Sequence, residues 1–375
     1  MNKVAGVITI LMAIIIVSFI GISSTGLFLQ QEDDSVKIGV VATLTGIGSY
    51  FGEQEIKGLE LAQEEINKNG GINGKKIELI IEDSKTSPLD AVNATKKLIY
   101  FDQVNFIVGD SWGSTTGAMV PVTNDNQVLL ISPSSILDSL SNDDLFFRTV
   151  PTTSVMMEEL ANYAYDKMGS RKVGALISQT AFGEEHINDF KHFFKGEIVA
   201  VEMIPLNQLD VRAELMRINE LKPDTIFNIV GSGAGIGNPI RTARELGIDY
   251  KWIGSFGVQN NGLIEEHGNL VDGIVYPYHY NLSLESTASI QFNKKYEEKY
   301  NELSDVTAVN AYDTLMLLAK AIGEVGEDPQ AVKEYLLSIE NYEGASGNLS
   351  FDENGDVKKP IIIKTIKNGE FVLVE

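Results

Sequence analysis

Residues Gly109-Asp110-Ser111-Trp112-Gly113 form a G-x-S-x-G run between a predicted strand and a predicted helix. In that setting a sharp turn can expose a serine hydroxyl as the nucleophile of an acyl transfer. The chemistry also needs a histidine base, and His186, His192, His267 and His279 carry no spacing that brings one to Ser111. An HGGG-type oxyanion segment is missing as well. Serine hydrolysis by Ser111 is therefore the remote reading. The same loop has a second one: Gly113, Ser114 and Thr115 open a helix, where unbonded N–H groups and hydroxyls attract a carboxylate. A plain helix cap would use the same residues.

Two further runs imitate known sites. Gly231-Ser232-Gly233-Ala234-Gly235-Ile236-Gly237 follows a predicted strand, but each G-x-G-x-x-G frame ends on Ile236, Asn238 or Ile240, so a dinucleotide is not expected there. A loop that lets a ligand approach the backbone fits better. Asp352-x-Asn354-x-Asp356 begins like a calcium loop but has Val357 where glycine is required, and reads as a hairpin turn. The histidines show no zinc-type spacing. No metal and no cofactor are expected.

Stepping from these loops to the chain that holds them, 375 residues are enough for two domains. The composition, 43% hydrophobic and 22% charged, is that of a globular protein. A net charge of −22, from 30 Lys and Arg against 52 Asp and Glu, argues against a nucleic-acid partner. The absence of cysteine excludes disulfide scaffolds, thiolate nucleophiles and a lipid-modified cysteine anchor. Val4–Ile22 is an uncharged 19-residue run after Lys3, long enough to span a bilayer. It is expected to be an uncleaved signal-anchor with the bulk of the chain outside, the alternative being a cleaved signal that leaves a periplasmic or secreted protein. Residues 1–35 then make the anchor and a polar tether.

Beyond the tether, strand and helix patterns alternate. Strands are predicted at Val36–Thr43, Lys76–Glu82, Asn105–Gly109 and Val128–Ser132, with helices at Glu53–Lys68, Pro88–Phe101 and Ser114–Asp125 between them. After Pro151 the rhythm restarts: strands at Lys172–Ser178, Glu197–Met203, Asp224–Val230 and Trp252–Gly254 alternate with helices. Residues 285–337 carry long helical patterns, and the tail from Gly347 reads as hairpin strands. The fold class is α/β, with two doubly wound Rossmann-like halves. Ligands of such sheets sit at the carboxyl ends of the strands.

Taken in order, the residues resemble the type I periplasmic solute-binding proteins of the leucine/isoleucine/valine-binding branch. The resemblance is carried by Lys37-Ile38-Gly39-Val40, Leu44-Thr45-Gly46, Phe51-Gly52, Asn69-Gly70-Gly71, Val108-Gly109 and Ile131-Ser132-Pro133. Phe147-Arg148-Thr149, Phe182-Gly183, Arg241–Gly247, Ala311-Tyr312-Asp313 and Phe351-Asp352 continue it. It implies two lobes joined by a three-crossover hinge, with lobe one at 36–150 plus 275–342 and lobe two at 151–274 plus 343–375. It further implies a monomeric, non-enzymatic, extracytoplasmic binding protein that closes on a small molecule and hands it to an ABC permease. A sensor ectodomain on the same fold is the alternative.

The resemblance also points to binding positions. The carboxylate-receiving loop falls at Gly113, Ser114 and Thr115, flanked by Trp112. Ser134 and Ile136 follow the next strand, Phe51 and Phe182 supply rings, and Ser232 lines the pocket. The resemblance makes an amino acid-like ligand the family default, but the acid that would pair an α-ammonium is replaced by Phe256, which points to an apolar or aromatic small molecule as the other expected ligand. Asp110 or Asp313 would have to substitute as counter-charge for an amino acid.

Overall fold

The computed structural model describes residues 35–374 apart from 143, 206–207, 231–232 and 281–285. The expected anchor therefore lies outside the described residues, and among those described no helix is long and apolar enough to cross a membrane. The residues from Lys37 onward form one unit.

The first lobe is built on a five-stranded sheet in the order β2-β1-β3-β4-β5. Its strands are β1 (Ser35–Ala42), β2 (Lys76–Asp83), β3 (Phe106–Gly109), β4 (Leu129–Ser132) and β5 (Phe146–Arg148). β1 pairs with β3, β3 with β4 and β4 with β5, all in parallel. β3 and β4 are buried at every position, which explains why they read as continuous apolar runs without alternation. Helices α1 (Ser49–Lys68), α2 (Pro88–Tyr100) and α3 (Gly113–Asp125) connect them. Ser87 caps α2 through the Asp90 N–H with Pro88 at its first position, a start signal visible in the sequence. α1 begins four residues before its predicted Glu53.

The second lobe carries a seven-stranded sheet in the order β15-β14-β10-β9-β8-β6-β7. Its parallel part is β6 (Lys172–Ser178), β7 (Glu197–Ile204), β8 (Thr225–Ile229), β9 (Lys251–Gly254) and β10 (Val275–Tyr278). β14 (Ile362–Lys367) and β15 (Glu370–Leu373) add an antiparallel edge. The helices are α4 (Thr153–Asp166), α5 (Ala181–Phe193), α6 (Arg212–Glu220), α7 (Gly237–Glu245) and α8 (Asn261–His267). β5, β10 and α8 have no counterpart in the prediction, because three to seven residues do not establish a period.

The chain returns to the first lobe through α9 (Thr287–Tyr300), α10 (Val306–Val325) and α11 (Pro329–Ser338). α10 lies along α1, and Gly58 lets them approach: a Cβ there would sit 2.0 Å from the Ala308 carbonyl oxygen. A separate antiparallel sheet, β11 (Tyr342–Gly344), β12 (Gly347–Phe351) and β13 (Val357–Lys358), packs on α9 and α11. The expected lobe limits at 275 and 343 thus shift. β10 is a strand of the second sheet, and 342–358 stays with the first lobe's helices. Asp352 accepts from the N–H groups of Asn354 and Asp356, so this run is the predicted hairpin turn between β12 and β13.

Candidate binding cleft

In a doubly wound sheet the crevice opens where the chain leaves in opposite directions from adjacent strands. Here those points lie between β1 and β3 in the first sheet and between β6 and β8 in the second. The loops after β1 and β3 and after β6 and β8 are accordingly where binding groups should gather.

On the first lobe, Gly52 lets α1 start against the end of β1: a Cβ there would lie 2.1 Å from the Thr43 carbonyl oxygen. This brings Phe51 to Trp112 with ring centroids 6.2 Å apart. Trp112 is the N-cap of α3. The Thr115 and Thr116 N–H groups already bond to Trp112 O, which leaves those of Gly113 and Ser114 at the open end of the helix. Gly113 packs on Leu137, and Ser114 is exposed. Thr115, by contrast, is fully buried and donates its hydroxyl to Trp112 O at 2.5 Å, so it braces the turn instead of facing a ligand.

The loop after β4 divides the expectation. Ser134 keeps a buried hydroxyl with no hydrogen-bond partner among the described residues. Ile136 instead enters the core of the second lobe with Met156, Met157 and Ile187, and its carbonyl accepts from the Thr153 N–H. It packs the loop of the first lobe against the second. Arg148, fully buried, holds this loop: Nη1 donates to Leu137 O at 2.7 Å and Nε pairs with Asp356 at 2.6 Å. Sequence reading noted Arg148 only as part of a pattern.

On the second lobe, Phe182 and Phe256 meet with ring centroids 6.4 Å apart, both half-buried against the lobe's core. Phe182 stacks on His186, whose Nδ1 lies 2.7 Å from Phe182 O. Burial lowers the His186 pKa to about 4, so its imidazole is neutral. Phe256 also faces His279 at 6.1 Å. Ser232 lies outside the described residues. A cavity of about 50 Å³ lined by Ser178, Ile204 and Val230 sits at the carboxyl ends of this sheet. A larger one, about 510 Å³, opens on the crossover side by Thr152, Asp356 and Lys359, away from the aromatic rings.

The two candidate counter-charges behave differently. Asp313 is committed to the third crossover, accepting from the Ala345 and Ser346 N–H groups at 2.7 and 2.8 Å, and does not serve the cleft. Asp110 is fully buried beneath the β3–α3 turn, where Oδ1 accepts from Thr43 Oγ1 at 2.5 Å and from Trp112 N at 3.2 Å. Glu55, which sequence reading passed over, lies beside it and meets the Ser111 hydroxyl. Its signal was present: Glu55 follows Phe51 by four residues, on the same face of a helix. Ser111 thus faces a carboxyl group, not a histidine.

Comparison with known proteins places this geometry. A family model described as periplasmic binding protein matches residues 35–370. A Leucine-, isoleucine-, valine-, threonine-, and alanine-binding protein of Pseudomonas aeruginosa is 26% identical over 333 residues, 87% of this chain and 88% of the relative. The branched-chain amino acid transporter substrate binding protein LivJ from Streptococcus pneumoniae, solved in complex with isoleucine, superposes with a TM-score of 0.81 at 28% identity. That match covers 90% of this chain and 97% of LivJ. A solute binding protein of an ABC transporter from Rhodopseudomonas palustris, in complex with 3,4-dihydroxy benzoic acid, gives 0.78 at 26% identity, covering 91% and 96%.

Proposed function

The chain belongs to the periplasmic binding protein family, and from that premise we propose that it captures a small carboxylate-bearing solute with an apolar or aromatic body. The family is one of extracytoplasmic solute-binding proteins of ABC transporters, not of enzymes. One observation carries the choice of solute: each lobe presents a pair of rings, Phe51 with Trp112 and Phe182 with Phe256, and Phe256 stands where an ammonium would need an acid. Gly113, Ser114 and Ser134 supply the polar end, receiving the carboxylate on N–H groups and hydroxyls. Rings above and below an apolar body bury it from both sides once the lobes close. Closure then follows from differential binding, since the solute contacts both lobes in the closed state alone.

The remaining parts of the reading are that the protein acts as a monomer, is held to the membrane by Val4–Ile22, delivers to an ABC permease and has no catalytic activity of its own. Ser111 facing Glu55 supports the last point, because a triad needs a histidine there. A thermal-shift series with isoleucine, benzoate and 3,4-dihydroxybenzoate tests the solute class. A ligand that binds only the folded state raises stability by RT ln(1+[L]/Kd). The aromatic acids are expected to raise the melting temperature more than isoleucine does; a larger shift with isoleucine refutes the reading.

A further inference from the structure

Under the floor of the first lobe, Glu55 on α1 and Asp110 at the end of β3 lie side by side with no exposure. Among the described residues neither forms an ion pair with a Lys, Arg or His. Among the described residues each carboxyl has one oxygen without a partner, Asp110 Oδ2 and Glu55 Oε1. Asp110 Oδ1 accepts from two groups, Thr43 Oγ1 and Trp112 N, whereas the other Glu55 oxygen meets Ser111 Oγ alone. Two adjacent carboxyl groups without a cation in a low-dielectric site do not both ionise, and the one with fewer donors keeps the proton. Burial first, then the Asp110 charge, raises the Glu55 pKa well above the ordinary carboxylate value. α9, α10 and β2, which also pack on α1, add no charge that shifts it.

A protonated Glu55 donates to Ser111 Oγ. The serine's own hydrogen then has no acceptor among the described residues, since its one hydrogen bond is to Glu55. Ser111 is 9% exposed, whereas Glu55 and Asp110 are sealed, so Ser111 is the residue of the cluster that reaches the surface. It does so in the turn that bears Trp112 and the open end of α3.

We propose that Glu55 is a positioning residue that holds its proton and thereby makes Ser111 a one-way hydrogen-bond donor to the solute's carboxylate. The inference rests on the carboxylate reading above. It gives the first lobe a fourth donor beside Gly113, Ser114 and Ser134 without a lysine or arginine. It also makes recognition pH-dependent. Once Glu55 ionises, Ser111 turns to donate to it and is withdrawn from the solute.

The test uses the full chain and its Glu55→Gln, Glu55→Ala and Ser111→Ala variants, with isoleucine and 3,4-dihydroxybenzoate as probes in calorimetric titrations from mildly acidic to alkaline pH. Wild-type affinity is expected to fall about tenfold or more as pH rises through the Glu55 pKa, the worth of one hydrogen bond to a charged group. Glu55→Gln, whose amide N–H also donates, should keep the low-pH affinity with a flat profile. Ser111→Ala should be weak and flat, and Glu55→Ala should follow it. Infrared spectra of the ligand-free protein give an independent reading: the carbonyl stretch of a protonated carboxylic acid should be present in the wild type and lost in Glu55→Gln. Wild-type affinity in Ser111→Ala, a pH profile in Glu55→Gln like that of the wild type, or a missing infrared band overturns the proposal. If neither probe binds the wild type, the solute reading fails, and the infrared band still decides whether Glu55 holds its proton.

Discussion

Lys359 Nζ lies 3.0 Å from Asn310 Oδ1, and through this contact the third crossover is tied to the core helix α10. The same asparagine reaches the other two crossovers. Its carbonyl accepts from Thr149 Oγ1 at 3.5 Å, and its Nδ2 lies 3.4 Å from His279 Nε2 and donates to Pro133 O at 3.2 Å. One residue, through its side chain and its backbone carbonyl, thus touches all three segments by which the chain passes between the lobes. It also touches the loop that carries Ser134.

Asn310→Ala should leave Lys359 and the Pro133 carbonyl short of partners in a buried place. Each such group costs roughly 1–3 kcal/mol. Denaturant titration checks the loss of stability, and titration with benzoate should show weaker binding in proportion to the disturbed loop after β4. Unchanged stability would mean that water or a rearranged side chain replaces the knot.

Lys359 itself sets a pH dependence. Burial, opposed by the Asp313 charge, lowers its pKa to about 8, against roughly 10.4 in the unfolded chain. The unfolded state therefore binds the proton more tightly. Stability is greatest above the unfolded value and is lost as pH falls through about 8. Lys359→Met should remove that rise in alkaline melts while leaving the slope at acid pH intact.

Asp189 acts with the opposite sign. Burial, followed by the Asp138 and Glu185 charges, raises it to about 7, whereas an unfolded aspartate titrates near ~3.9. Its folded form holds the proton, so the stability it contributes is present in acid and lost as pH rises from about 4 through about 7. Asp189→Asn should raise the melting temperature at alkaline pH and leave it unchanged in acid. Because Glu185 accepts from the Ser139 N–H across the lobes at 3.2 Å, the variant should also ease closure at neutral pH.

Arg148→Met removes the group that holds the 134–141 loop and leaves Asp356 without its partner. Breaking a buried pair on one side typically costs about 3–5 kcal/mol. A fall of that size in denaturant titration is expected. Arg148→Lys should recover little, since one ammonium cannot reach Ser135 O, Leu137 O, Ser141 Oγ and Asp356 together.

Phe256→Glu tests the missing counter-charge. An acid at this position, beside Phe182 and His279, should raise isoleucine affinity by tenfold or more and weaken benzoate. Calorimetry with both probes gives the ratio. No gain for isoleucine would show that Phe256 excludes amino acids by shape and not by charge.

The alternation of strands and helices was legible because each element carries its own period or apolar run: β3 and β4 lie within their predicted ranges, and α3 starts one residue early. The family pattern singled out the rings Phe51, Trp112, Phe182 and Phe256 as candidates, and in the structure Phe51 lies beside Trp112 and Phe182 beside Phe256. The contacts of Thr115 and Ile136 were not legible, since a side chain's partner is chosen by what packs opposite it. Thr115 found Trp112 O one turn back, and Ile136 found a core belonging to the other lobe.

By itself the sequence determined the α/β class and the order of most elements, because hydrophobic periodicity and turn residues act over short stretches of chain, and its ordered motifs pointed to the family. It could not say that Glu55 and Ser111, 56 positions apart, are hydrogen-bonded, or that Asn310 gathers three crossovers. Those relationships exist once distant segments are packed and water is expelled. Burial then makes each unmatched polar group costly enough to dictate its partner.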